Sequence, residues 1–431
     1  SNSIGTDLVI KDNPSLAELP YMPLLANVQG SITIQGNGYV EFDGTAHGLA
    51  HLSVPGTAGF ESLGSVSGSI VVEGNPNLQS AALNLSAPLI LPASGSYTIR
   101  VADNDKLADL DGFFGPTGIN KITDSNHNLE IVGNATLASI DSLGTSLIVG
   151  FSGVNISGNP LLADLDGLEN INVIQGELRI EDSPALLALG PADFTYLRTL
   201  GSLYVNRNAN LASADFGMLT GTTSMYVIDI EKNPTLASVS FPAQLGSVGG
   251  SITVAENVLG GGIALPGLGS TPNLTISKNT ALASLSFPVL GSVAYNIAVN
   301  DNDALLSLDM PALSSVSYYD VSVDGNALLE SIDLRGLTYV SRTLNIANNT
   351  ALATLRLDAL EWCTNLYIRN TALVGADLYY IDTEPNLSAP YFYFTNDPSI
   401  LPSELEAWRT SPGRSVGTSD FDTSTGNGSG S

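Results

Sequence analysis

A chain of 431 residues that is 43% hydrophobic carries enough apolar material for a large core, which excludes disorder over most of its length. Forty-two acidic residues against 15 basic ones give a formal net charge of −27, although charged residues make up only 13% of the chain, so the imbalance reflects missing lysine rather than massed acid. With lysine confined to Lys11, Lys106, Lys121, Lys232 and Lys278, no basic patch exists to neutralise a run of phosphates, and neither nucleic acid nor an anionic membrane surface is an expected partner.

No apolar run approaches the ~20 residues of a membrane span. Cys363 is the single cysteine, which excludes an intramolecular disulfide framework and reads as a buried small hydrophobe beside Trp362. The chain opens Ser-Asn-Ser without a charged-then-apolar leader, which fits either a cytosolic protein or one whose secretion signal has been removed.

One pattern recurs from end to end: an apolar residue, any residue, Ile or Val, two residues, Asn, two residues, Leu, two residues, Leu or Ile. The anchor reads Asn13, Asn37, Asn75, Asn104, Asn134, Asn159, Ser183, Asn208, Asn233, Asn257, Asn279, Asn302, Asn326, Asn349, Asn370 and Asn396, which predicts sixteen coils. Apolar residues five and three places before the anchor alternate with period two, so each coil starts with a short strand whose inner face carries both. The Leu three places after the anchor, as Leu282 or Leu352, turns inward again. Asparagine suits the corner because its amide bonds backbone groups left unpaired there and because it tolerates the left-handed region; stacked coils then make an asparagine ladder. Long steps after Asn37, Asn75 and Asn104 imply inserted loops.

In chain order, the first insert holds His47 and His51, four apart, a zinc-ligating spacing only on a helix, which Gly44, Gly48 and Pro55 disfavour. His127 lies in a later insert with no visible partner. Asp103-Asn-Asp105 and Asn300-Asp-Asn302-Asp303 offer oxygen ligands, but neither matches a calcium-binding loop, so no cofactor is expected and a structural calcium is the exception to test. Asp109-Leu-Asp111-Gly and Asp164-Leu-Asp166-Gly look like catalytic acid pairs, yet both fall at one place in the repeat, which makes them turn chemistry. Gly260-Gly-Gly262 lacks the Lys-Ser/Thr of a phosphate loop.

Two surface features stand out. Four residues before each anchor an outward strip runs Thr33, Val71, Arg100, Glu130, Asn155, Arg179, Tyr204, Asp229, Thr253, Thr275, Ala298, Ser322, Asn345; it suits protein or glycan recognition, or is a plain solvated face. Its charged and aromatic members Arg100, Glu130, Arg179, Tyr204 and Asp229 are candidate ligand-binding residues. Aromatics crowd 318–408, where Tyr379, Tyr380, Tyr391 and Tyr393 join the candidates; a cap over the last coils, helped by Pro402 to Trp408, is the competing reading.

The unit Leu-x-Ile-x-x-Asn-x-x-Leu-x-Ser-Leu, continued in Phe287-Pro-Val-Leu-Gly-Ser-Val293 and Met310-Pro-Ala-Leu-Ser-Ser-Val316, resembles the receptor L domain. That module is a right-handed β-solenoid of insulin- and growth-factor-receptor ectodomains, fungal cell-wall proteins and bacterial surface proteins. The resemblance spans roughly Leu8 to Pro402 and implies fold and extracellular placement; without disulfides, a bacterial type is favoured.

The expected fold is therefore all-β: a single right-handed β-solenoid over 1–410, followed by a flexible Gly/Ser/Thr-rich tail at 411–431. The expected function is non-enzymatic recognition or adhesion, secreted or at a cell surface, by a monomer that binds a protein or glycan ligand. The alternatives are a carbohydrate-active enzyme on the same scaffold and a purely structural envelope component.

Overall fold

The computed structural model describes residues 2–91, 95–122, 124–374, 387–389, 391–395, 402–410 and 415–416. They form a parallel β-solenoid of about sixteen turns, in two compact units, Ser1–Thr222 and Thr223–Ser431.

Alternation builds each coil. In Ile32–Gln35, Ile32 and Ile34 are buried while Thr33 and Gln35 are not, and Ile70–Glu73 repeats the pattern one coil later. The register stacks like on like: Leu8, Ile32, Ile70, Ile99, Leu129, Val154, Leu178 and Leu203 align across the first unit. Ile228, Ile252, Leu274, Ile297, Val321, Leu344, Leu366 and Phe392 do so across the second. Each buried aliphatic chain stabilises the fold by about 1.5–3 kcal/mol relative to exposure, so the columns dominate the energetics. Six residues past the anchor, Leu285, Leu308, Ile332 and Leu355 face inward from a second parallel sheet.

The corner differs from expectation in one respect. The residue in the left-handed region is the one before the ladder position, not the asparagine: Asp12, Asp103, Asp182, Arg207, Lys232, Glu256, Lys278, Asp301, Asn348 and Asn370 have φ between +51° and +59°, and glycine takes the place at 36, 74, 133, 158 and 325. Strict alternation would point the anchor outward. A left-handed residue breaks the alternation, so the preceding side chain, such as Lys278, is exposed and the asparagine turns in. The anchor carbonyl then accepts from the amide three residues on, as Asn104 from Leu107 and Asn349 from Leu352, closing a turn.

This geometry corrects one anchor. Ile368 pairs with Ile346, so the equivalent of Asn349 is Thr371, which is buried, and Asn370 is the left-handed residue ahead of it. Asn396 lies outside the described residues. In the first insert, Gly38–Val40 and Ala46–Gly48 form an antiparallel hairpin. Near the other end, the helix Pro402–Arg409 buries Leu405 and Trp408, the latter's ring 5.3 Å from Phe392, and Ser415–Val416 pairs in parallel with Ser388–Ala389. Among the described residues no helix is long and apolar enough to cross a membrane.

Candidate ligand-binding faces

In the first unit the register brings the predicted strip together. Thr33, Val71, Arg100, Glu130, Asn155, Arg179 and Tyr204 lie side by side on one outward face. Arg100 sits between two acids, with Nη1 2.7 Å from Glu130 and Nη2 3.1 Å from Glu73. Hydrogen bonding to Glu73, then to Glu130, raises its pKa against the opposing effect of burial. Arg179 donates to Glu177 at 2.7 Å and Glu181 at 3.4 Å, and its guanidinium carbon lies 3.8 Å from the Tyr204 ring centre. Burial has the largest effect and disfavours that charge, but the hydrogen bond to Glu177, with the charges of Glu177, Tyr204 and Glu181 added, together outweighs it and the pKa is raised. Both cations are thus held in one rotamer by several partners each, which removes entropy before any ligand arrives.

Between the two arginines lies a depression of about 280 Å³, lined by Asn128, Glu130, Gly153, Asn155, Glu177 and Arg179. Gly153 makes it: its neighbours in register carry side chains where it has none, and an added Cβ would come within 3.1 Å of the Asn128 Oδ1.

In the second unit, Asp229, Thr253, Thr275, Ala298, Ser322 and Asn345 continue the strip rule. With the ladder corrected to Thr371, the strip also includes Tyr367 and Tyr393, paired in register and stacked with ring centres 4.6 Å apart. Tyr367 was missed because Asn370 stood as the anchor. Tyr391 is exposed two residues away, while Tyr379 and Tyr380 lie outside the described residues.

Sequence reasoning also missed a column of bulges. Where strands of the second unit shift register, between Met225 and Val227, Ser247 and Ser251, and Thr271 and Asn273, extra residues leave the ladder. They place Tyr226, Gly249 with Gly250, Pro272, Ala294 with Tyr295, and Tyr318 with Tyr319 in succession. The signal was in the numbering: 226, 249, 272, 295 and 318 are Tyr, Gly, Pro, Tyr and Tyr at steps of 23 residues.

The remaining candidates resolve locally. Asp109 Oδ1 accepts from the Asp111 amide at 3.1 Å and Asp164 Oδ1 from the Asp166 amide at 3.3 Å, as turn residues do. His47 stacks on Tyr39 in the hairpin, 3.1 Å from Glu41. His127, expected to have no partner, is buried with its ring stacked 4.1 Å from Tyr97 and Nε2 3.0 Å from Asp124; Tyr97 and His127 stand one residue ahead of the paired Thr98 and Asn128, so the register of neighbouring coils sets the ring contact. No group of three or more metal-binding side chains occurs among the described residues.

Comparison with protein-family models finds no match, and comparison with curated proteins finds none. Among solved structures the chain is similar to one in the crystal structure of a TLR13–ssRNA13 complex, at 12% identity and a TM-score of 0.21, covering 90% of this chain and 81% of that one. A superposition that loose carries no argument.

Proposed function

We propose that this protein is a non-enzymatic recognition or adhesion module, secreted or displayed at a cell surface, with the outward face of its first unit as a contact surface. The observation that carries the reading is the Arg179 site: a guanidinium fixed by Glu177 and Glu181, backed by Tyr204, at the edge of the depression over Gly153. Preorganised arginine and tyrosine side chains are what interface hot spots are made of. Acids outnumber bases around them, so the partner is a protein or glycan that presents cationic or zwitterionic groups.

The receptor L-domain resemblance, with its right-handed coil and its bacterial surface setting, agrees with this reading. A carbohydrate-active enzyme would need acids free to exchange protons, whereas Glu73, Glu130, Glu177 and Glu181 are committed to arginine.

The test is a binding screen of the folded protein against arrayed glycans and purified surface proteins, repeated with Arg179→Ala. Recognition through this face predicts a partner whose affinity falls by roughly tenfold or more in the variant. A partner bound equally by both proteins would move the contact elsewhere.

A further inference from the structure

We infer that the bulge column of the second unit is a binding groove for a neutral oligosaccharide, distinct from the Arg179 face. Two depressions, of about 480 Å³ and 380 Å³, share Gly249, Pro272 and Ala294 and so form one trough. Tyr226 closes one end. Its ring backs onto the glycines, with Cδ2 3.5 Å from where a Cβ on Gly249 would stand and Cε1 and Cζ 3.4 Å from one on Gly250, and 67% of the residue stays exposed. Tyr295 flanks the other side, 41% exposed and braced by Tyr318 and Tyr319 with ring centres 5.5 and 5.7 Å away.

Tyr226 and Tyr295 are three coils apart, roughly 14 Å at the ~4.8 Å strand spacing, the reach of a short oligosaccharide. Between them the trough offers hydroxyl and amide groups, Ser251, Ser270, Asn273 and Ser292, with Ser317 one coil beyond Tyr295. Among the described residues lining it none carries a charge, in a chain whose net charge is −27. A cationic partner finds nothing to pair with there. An extended peptide finds no free strand edge, because Ser247–Ala255 is paired on both sides. A sugar matches the surface: its C–H faces lie on tyrosine rings and its hydroxyls exchange hydrogen bonds with serine and asparagine.

The glycines have a role in this. A Cβ on Gly250 would stand 2.7 Å from the Tyr226 carbonyl oxygen, so the backbone approach that seats the Tyr226 ring needs glycine there.

The inference shares the recognition class of the proposed function but not its site. Cellohexaose, xylohexaose, mannohexaose and chitohexaose would be titrated into the whole chain by calorimetry, with oligogalacturonate and a lysine-rich peptide as charged comparisons. Expected is binding of at least one neutral hexasaccharide, equal at about 0.05 and 0.5 M salt, and weakened roughly tenfold or more by Tyr226→Ala and by Tyr295→Ala. Tyr226→Phe and Tyr295→Phe, which keep the ring, should retain it. Circular-dichroism melts matching wild type show that a ring, and not the fold, was lost. No binding of any neutral hexasaccharide, preference for a charged comparison, or binding that survives both alanine changes would overturn the inference. Arg179→Ala should leave sugar binding unchanged, so failure here and failure at the first unit are read separately.

Discussion

The side-chain amide of Asn279 donates to the Oδ1 of Asn302, 3.1 Å away in the next coil, and that same oxygen also accepts from the Asn279 backbone N–H at 3.1 Å. Asn279 reaches the other way too, donating to the Val254 carbonyl of the preceding coil at 3.0 Å while its Oδ1 accepts from the Asn257 backbone. One side chain therefore joins three coils. The relay repeats from Asn233 to Asn349 in the second unit; in the first it runs from Asn13 to Asn159, and at the next coil Ser183 turns its hydroxyl to the Glu181 carbonyl instead.

Removing the Asn279 side chain takes a partner from two buried backbone groups, the Val254 carbonyl and the Asn257 N–H. Asn279→Ala should cost about 1–3 kcal/mol. Thr275→Ala, on the outward strip of the same strand, should change stability by less than about 0.5 kcal/mol. Equal shifts of the urea midpoint for the two variants would contradict the ladder.

The corner makes a separate prediction. Lys278 has φ +55° and Gly325, its counterpart two coils on, has φ +73°. A side chain with a Cβ is disfavoured in the left-handed region by roughly 1–2 kcal/mol. Gly325→Ala should therefore lower stability through its backbone conformation, since the exposed Asp301 carboxylate that the new Cβ would meet can turn aside. Lys278→Gly should be neutral or raise stability, offset in part by the freer unfolded chain. A Gly325→Ala protein with an unchanged melting temperature would remove the strain argument.

Much of this was legible because the repeat aligns like residues. Ile276 and Leu274 declared their strand by alternation, and Asn279 its corner by recurrence. The failures have physical causes. Asn370 looked like an anchor because asparagine serves both the left-handed place and the ladder place, and only the pairing of Ile368 with Ile346 separates the two. Tyr226 and Tyr295 gave no strand signal because bulge residues follow no alternation. Contact between His127 and Tyr97 was legible from their equal distance to Asn134 and Asn104, and went unread because both lie ahead of the two apolar places that marked each strand.

Cys363 is fully buried, and burial raises its thiol pKa from 9.0 to about 12. The native thiol should not react with a disulfide reagent at about pH 8, and should react once the chain is unfolded. Because the folded pKa lies above the unfolded one, the stability this group contributes is complete below pH 9.0 and is lost as pH rises toward about 12. Cys363→Ala should show a flatter loss of stability over that interval. Rapid labelling of the native protein would refute the packing.

The oxygen-rich corners test metal dependence. Burial raises the Asp103 pKa, with the nearby Glu73 charge adding to it. Excess EDTA should leave the melting temperature and the β-rich circular-dichroism spectrum unchanged. A fall in melting temperature that calcium restores would establish a structural calcium at 103–105 or 300–303.

The last prediction separates recognition from catalysis. Asp109 and Asp164 are engaged with backbone amides in their own turns, and the glutamates of the first unit's outward face are paired with Arg100, Arg179 or Arg207. The purified chain should accordingly release no reducing sugar from pectin, alginate, chitin or xylan. A partner held at the Arg179 face is held largely by charge, so its affinity should fall between about 0.05 and 0.5 M salt, where the screening length shortens several-fold. It should fall again on Glu177→Gln, which frees the guanidinium to sample other rotamers. A ligand held on tyrosine rings should ignore the same change in salt. Robust turnover of any of the four polysaccharides, abolished by Asp109→Asn or Asp164→Asn, would make this an enzyme on a solenoid scaffold; binding that is insensitive both to salt and to Arg179→Ala would leave the first unit's face with no part in recognition.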